Sequence, residues 1–419
     1  MEVITETPFT VFPLDISPIP SSPSVTVIVK GTFALRQNEP ALALEAAKQA
    51  PLAGDEMFLD DVGRSLRSAS DLVAQKLRGE VTLTAVCHPP HPTTNCVVSF
   101  ALGGLTKTLQ VSGDRAWPSA SPTDRFASVP IRWERAFGGL KDPKNPLGRG
   151  LEDWPTPSGP RHFLPNVEYP SELVTRPTDR PRAAGFGPVS PQWSPRFEFQ
   201  GTRDQRWAMF RAPLPPEDFN PLFYQAAPSD QQLPDGMFFR GDETLELSNL
   251  HPKLASFRGS LPGKRLRLFL LRRATKTTPA TFSEVFLALD TVHVDTESET
   301  LTLVWRQAVP LTRPLALEVE CAYLAEEALS EPAALLEAHE QRFHELRGPT
   351  PPPLFELIDA DIAEARDEMK KAALEGGLDP DLVEELTSIK DPMQLMDRII
   401  KLAEAQVKEV ERLTATLKG

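Results

Sequence analysis

The residues best equipped for acid–base chemistry are the carboxylates Glu134, Asp204, Asp230, Asp242 and Glu243, set among Arg132, Arg135, Arg149, Arg196, Arg203, Arg206 and Arg240. Two such carboxylates can serve as general acid and base, or as acid and nucleophile, so a hydrolase acting on carbohydrate or peptide is one reading, with Glu134 and Asp242 the first to test. The same residues would also form ion pairs that fix loops, which asks nothing further of the chain. Spacing alone assembles no nucleophile, base and orienting group, and no GxSxG, HExxH or phosphate-binding loop is present. The non-enzymatic reading therefore leads.

Cys87-His88, His91 and Cys96 place metal-ligand residue types on one short stretch. Their C-H-x2-H-x4-C spacing matches no common zinc pattern, and Pro89, Pro90 and Pro92 stiffen it, so a proline-rich strand exit is expected and no metal or cofactor is assigned. Gly138-Gly139 and Gly148-x-Gly150 fit neither dinucleotide nor P-loop spacing and suit tight turns. Trp133, Arg135, Phe137, Arg149, Trp193, Arg196 and Trp207 carry the aromatic and guanidinium groups that dominate binding hot spots. The aromatic members serve equally well as core packing.

These residues need a scaffold, and the flanking sequence predicts a mainly β one with long loops. VTVIVKGTFAL (25–35) alternates and then meets Gly31, where a bulge or kink is expected. VTLTAV (81–86) alternates as a half-buried strand should, and residues 96–111 form a hairpin turning at Gly103-Gly104. An extended run with Gly241-Asp242-Glu243 at its turn is expected over 238–247, a strand over 264–271, and a second hairpin at 285–305 around DTESET. Five of the six tryptophans (117, 133, 154, 193, 207) lie in the middle, as in an elaborate loop region laid over a sheet. From Glu318 to Leu346 alanine, leucine and glutamate replace the alternation, which reads as helix, and GPTPPP (348–353) reads as a stiff connector. The expected organisation is a β-rich domain over 1–315, a helical connector over 316–348 and an α-helical C-terminal module over 349–419. In that module Asp379-Pro380 and Asp391-Pro392 offer helix starts. Met396, Ile400, Val407 and Val410 belong to an apolar stripe that seeks a partner surface.

A formal charge of -13 over 419 residues argues against nucleic-acid or anionic-membrane binding, because both need clustered Lys and Arg. Three cysteines are too few for a disulfide framework, and the N-terminus has no signal-like pattern, so a cytoplasmic protein is expected. The 43 prolines limit helix and favour short strands joined by turns.

Several ordered phrases carry a resemblance: SDLVAQK at Ser70, VSGDRAW at Val111, WERAFGG at Trp133, NPLGRG at Asn145 and LPN at Leu164. Further on come AGFGPVSPQWSPR at Ala184, GTRDQRW at Gly201, LPPEDFN at Leu214, APSDQQL at Ala227 and RGDETLELSNL at Arg240. Over roughly residues 20–313 the chain resembles the domain-of-unknown-function family twenty-one sixty-nine, whose members act as effector chaperones or adaptors in bacterial type VI secretion. Arg203 stands where that pattern has tyrosine. The resemblance implies a protein that binds a toxin effector in the cytoplasm and helps load it onto a VgrG or PAAR spike without catalysis. A structural component of a contractile injection machine is the third reading.

Overall fold

The structure is a computed structural model that describes residues 1–15, 23–45, 49–117, 121–122, 124–150, 163–275, 278–348, 380–388 and 398. The chain divides into two compact units. One comprises Met1–Arg273 with Ala280–Gly348, the other Ala274–Pro279 with Pro349–Gly419.

The first unit is mainly β, as expected. Its largest sheet has seven strands in the order Val129–Ile131, Glu80–Cys87, Ala288–Asp295, Thr300–Pro310, Ser24–Ala34 and Val11–Leu14, with Leu42–Ala43 also paired to Ser24–Ala34. A five-stranded sheet runs Val167–Glu168, Leu105–Ser112, Asn95–Leu102, Thr244–Ser248 and Ser256–Ser260. A four-stranded sheet runs Glu2–Thr5, Val319–Ala328, Lys264–Arg272 and Thr281–Val285. Alternation explains how they pack. Val25, Val27, Val29 and Phe33 from the first sheet, Val98, Phe100, Leu109 and Val111 from the second, and Leu268, Leu270, Ala322 and Leu324 from the third all enter one buried core. Both expected hairpins form, with Asn95–Leu102 antiparallel to Leu105–Ser112 and Ala288–Asp295 antiparallel to Thr300–Pro310.

Two local expectations are corrected. No bulge occurs at Gly31, because Ser24–Ala34 pairs with Thr300–Pro310 in unbroken register, Gly31 opposite Leu303. The glycine is there for room: a Cβ would lie 2.6 Å from the Phe33 ring and 3.0 Å from Phe9. In the run expected over 238–247 the turn at Gly241-Asp242-Glu243 forms, Glu243 accepting from the amides of Arg240 and Gly241, but only Thr244–Ser248 is a strand, and ahead of the turn Phe239 makes a single bridge to Leu289.

A third correction concerns the helical connector over 316–348. Leu336–Arg347 is a helix, but Val319–Ala328 is a strand held on both edges, antiparallel to Lys264–Arg272 and parallel to Glu2–Thr5. VECAYLAEEA has helical propensity, yet Val319, Cys321, Ala322, Tyr323 and Leu324 are all buried, and burial between two strands outweighs a few tenths of a kcal/mol per residue of propensity. The segment therefore belongs to the β unit rather than linking it to something else.

In the second unit the described helix is Pro380–Ser388, opening on proline as anticipated, with Val383 buried and Glu385 paired to Arg398 at 2.7 Å. The remaining helices expected in the tail, and with them Met396, Ile400, Val407 and Val410, lie outside the described residues.

Candidate functional site

The motif-rich middle of the chain is folded against the edge of the seven-stranded sheet. After the edge strand Val129–Ile131, a single turn at Trp133–Arg135 points the Trp133 indole inward, where it donates to the Pro188 carbonyl at 2.9 Å and meets the Trp193 ring edge-on at 6.1 Å. Asn145, fully buried, donates to the carbonyls of Trp133 at 2.8 Å and Phe137 at 3.0 Å. The glycines close this clasp. A Cβ on Gly148 would lie 2.5 Å from Asn145 Nδ2, and one on Gly138 only 2.2 Å from the Asn145 carbonyl oxygen. WERAFGG and NPLGRG are thus two halves of one structure.

Beside the clasp opens a groove of about 760 Å3. Its apolar surface comes from Trp133, Phe137, Val189, Phe199, Leu222 and several prolines, and its polar wall from Gln225 to Gln232. Lys141, Lys144, Arg180 and Arg182 stand exposed around it, with Arg78 half-buried and Arg196 buried. The only carboxylates among the lining residues are Asp142 and Asp230. Its lining is apolar with a few fixed polar groups.

Buried polar groups pin the wall. Lys107 Nζ donates to Gly185 O at 2.7 Å, Asp230 Oδ1 at 2.9 Å and Gln231 Oε1 at 2.9 Å, and burial lowers its pKa to about 8 despite the neighbouring Asp230. The Tyr169 hydroxyl donates to Asp230 Oδ2 at 2.8 Å; burial, then the charge of Asp230, pushes the phenol well above its ordinary value. Glu80 accepts from Gln225 Nε2 at 3.0 Å, from the Ala226 and Ala227 amides at 3.1 Å each, and from the buried Lys76 ammonium. Of these polar pins, Asp230 was singled out from the sequence, as a candidate carboxylate, and Lys107, Tyr169, Glu80 and Lys76 were not. The signal existed for Lys107, which occupies an inward register position between Leu105 and Leu109 where an apolar residue would ordinarily stand.

The groove brings Trp133, Phe137 and Arg196 together. Arg196 is held beneath it, its guanidinium donating to Phe223 O at 3.0 Å and Val189 O at 2.5 Å, with burial lowering its pKa. Trp193 is packed behind Trp133 and does not line the groove. Arg135 donates to Asn166 Oδ1 at 3.1 Å. Arg149 faces Asp114 at 3.7 Å, and burial lowers its pKa to about 10. Trp207 stands apart on the short helix Gln205–Phe210, its indole donating to Leu214 O at 2.8 Å, beside exposed Met209 and Phe210.

The carboxylates do not converge. Glu134 accepts from the Ser65 amide and hydroxyl at 2.9 and 2.8 Å, Asp204 caps the Gln205–Phe210 helix, and Asp242 sits on the surface with Arg240 at 3.1 Å. His88 turns to Glu297 at 2.7 Å and His91 is exposed. Cys87 and Cys96 are free thiols, and the neighbouring Cys96 thiol, together with burial, raises the pKa of Cys87. A second cavity, about 330 Å3, lies on the outer face of the seven-stranded sheet. Its charges face one another as Lys30–Asp71 (3.7 Å), Arg67–Asp295 (3.0 Å) and Lys76–Glu80, and burial holds His293 neutral with a pKa of about 4.

Residues 21–306 match the family described as uncharacterized protein conserved in bacteria (DUF2169). The chain belongs to this family. The match spans the five-stranded sheet, the clasp and the groove, takes in only Lys264–Arg272 and Thr281–Val285 of the four-stranded sheet, and ends within the strand Thr300–Pro310. No curated protein and no solved structure matches the chain. Among the described residues, no helix is long and apolar enough to cross a membrane.

Proposed function

We propose that this protein is an adaptor or chaperone that binds a toxin effector of a type VI secretion system non-covalently and helps bring it to a VgrG or PAAR spike. The observation that carries the binding role is the groove, where residues from the WERAFGG, AGFGPVSPQWSPR and APSDQQL phrases meet around an apolar surface with a cationic rim. The secretion-system context rests on the resemblance of those phrases. A carboxylate-dependent hydrolase is the weaker reading, because Glu134 and Asp242 are held in separate places by separate partners.

The deciding experiment is capture of partners from the producing bacterium's lysate with the tagged full-length chain, followed by mass spectrometry and by reconstitution with the purified candidate. A stoichiometric complex with one toxin, joined by a spike protein, is the expected result. Absence of any toxin or spike protein from the complex, with the β unit folded, would sink the adaptor reading. A chain ending near Gly348, run alongside, assigns the grip to the first unit or to the tail.

A further inference from the structure

The groove's charge says what kind of segment it accepts. The whole chain carries -13, so an anionic partner is repelled by the average surface. The groove reverses that sign, with Lys141, Lys144, Arg180, Arg182 and Arg196 against Asp142 and Asp230, while Arg78 is paired to Asp235. Its carboxylates are already engaged, Asp230 by Lys107 and Tyr169, and Asp142 by the Lys144 amide at 2.9 Å. The rim cations are less so. Among the described residues, Lys141 and Lys144 make no ion pair, and Arg180 donates only to the Pro177 and Asp179 carbonyls. Arg182, by contrast, is taken by Glu172 and lies over the Tyr169 ring.

We infer that the groove binds a short acidic segment of a partner protein, one that carries a large apolar side chain between its carboxylates. The apolar side chain fills the surface formed by Val189, Phe199 and Leu222, and flanking Asp or Glu side chains meet Lys141, Lys144 and Arg180. Pro143, Pro181, Pro195 and Pro228 restrict the backbone around the groove, and Arg196 is fixed by two carbonyls, so little ordering is required on binding. A nucleic acid is disfavoured, since its repeating phosphates would run past the rim onto a surface of the same sign. The inference deepens the adaptor reading and rests on it for the source of the segment, while the groove's chemistry can be measured without the effector.

The test uses the full-length chain and three fluorescein-labelled hexapeptides: two Glu on each side of a Leu-Phe pair, the same peptide with Gln for Glu, and the same with Lys for Glu. Anisotropy titrations should rank them Glu, then Gln, then Lys. A photo-reactive analogue of the Phe should cross-link to the residues around Val189 and Leu222. The double variant Lys144→Glu/Arg180→Glu alters two exposed side chains, and circular dichroism checks its fold. It should weaken the acidic peptide about tenfold or more and flatten its dependence on salt, while barely changing the Gln peptide. Equal binding of the Glu and Gln peptides, unchanged affinity in the double variant, cross-links elsewhere, or tighter binding of a labelled oligothymidine would each overturn the inference. Reconstitution separates the two levels. A toxin captured equally by wild type and double variant leaves the adaptor reading standing without this groove, whereas peptide binding with no captured toxin leaves the groove standing without the adaptor reading.

Discussion

Lys107 offers the most direct check on how the groove wall is built. Burial lowers its ammonium from 10.5 to about 8. The unfolded chain therefore holds this proton more tightly than the folded one, and between about pH 8 and pH 10.5 unfolding takes up a proton. By linkage, folded stability rises with pH through that window; below it both states are protonated and the penalty is constant. The full difference corresponds to about 3 kcal/mol, of which about 1 kcal/mol is regained between pH 7 and pH 9. Lys107→Met removes the titrating group, so the stability difference, wild type minus variant, should grow by about 1 kcal/mol over that interval. Tyr169 is pushed above its ordinary value by burial, outside this interval, and the thiols are common to both proteins. The assay is urea unfolding at pH 7, 8 and 9 followed by tryptophan emission, which reports only the first unit because every tryptophan precedes position 306. Parallel stability curves for the two proteins, or a difference that shrinks with pH, would refute the burial argument for Lys107.

Glu80→Gln should lower stability by about 3 kcal/mol in urea, because it leaves the Lys76 ammonium, whose side chain is 4% exposed, without its counter-charge; Lys76→Met/Glu80→Gln should recover part of that loss. Gly148→Ala forces its methyl group against Asn145 Nδ2 and Gly138 Cα, and thermal unfolding should show a loss of about 1–3 kcal/mol with a shift in Trp133 emission. Asp242→Asn, at an exposed side chain, should stay within about 0.5 kcal/mol of wild type in the same assay. Glu134→Gln should cost about 1 kcal/mol as its charged hydrogen bonds to Ser65 weaken; a larger functional than structural loss at either carboxylate would revive the hydrolase reading.

Local pattern was enough wherever one residue's neighbours in sequence decide its fate. Alternation at 81–86, 96–111 and 285–305 sets which side chains enter the core, and Gly103-Gly104 supplies the positive φ a tight hairpin turn needs, so the mainly β character and both hairpins were legible. The clustering of Trp, Arg, Gly and Pro marked the stretch that builds the groove, and the charge excluded a generally basic binding surface. Tertiary structure decided the rest, because the deciding contacts join distant positions. Val319–Ala328 is a strand only because Lys264–Arg272 and Glu2–Thr5 flank it. Gly31 spares space for Phe33 instead of bending the chain. Trp193 and Arg196 became packing and support, Trp133 both packs and lines the groove, and the groove's exposed rim is made by Lys141, Lys144 and Arg180, residues that look unremarkable in the linear sequence. Sequence fixes residue types and their local period. Which charges are buried, and which remain free to meet a partner, depends on segments far apart in the chain, 147 positions from Glu80 to Ala227 and 228 from Arg67 to Asp295, arriving at the same place.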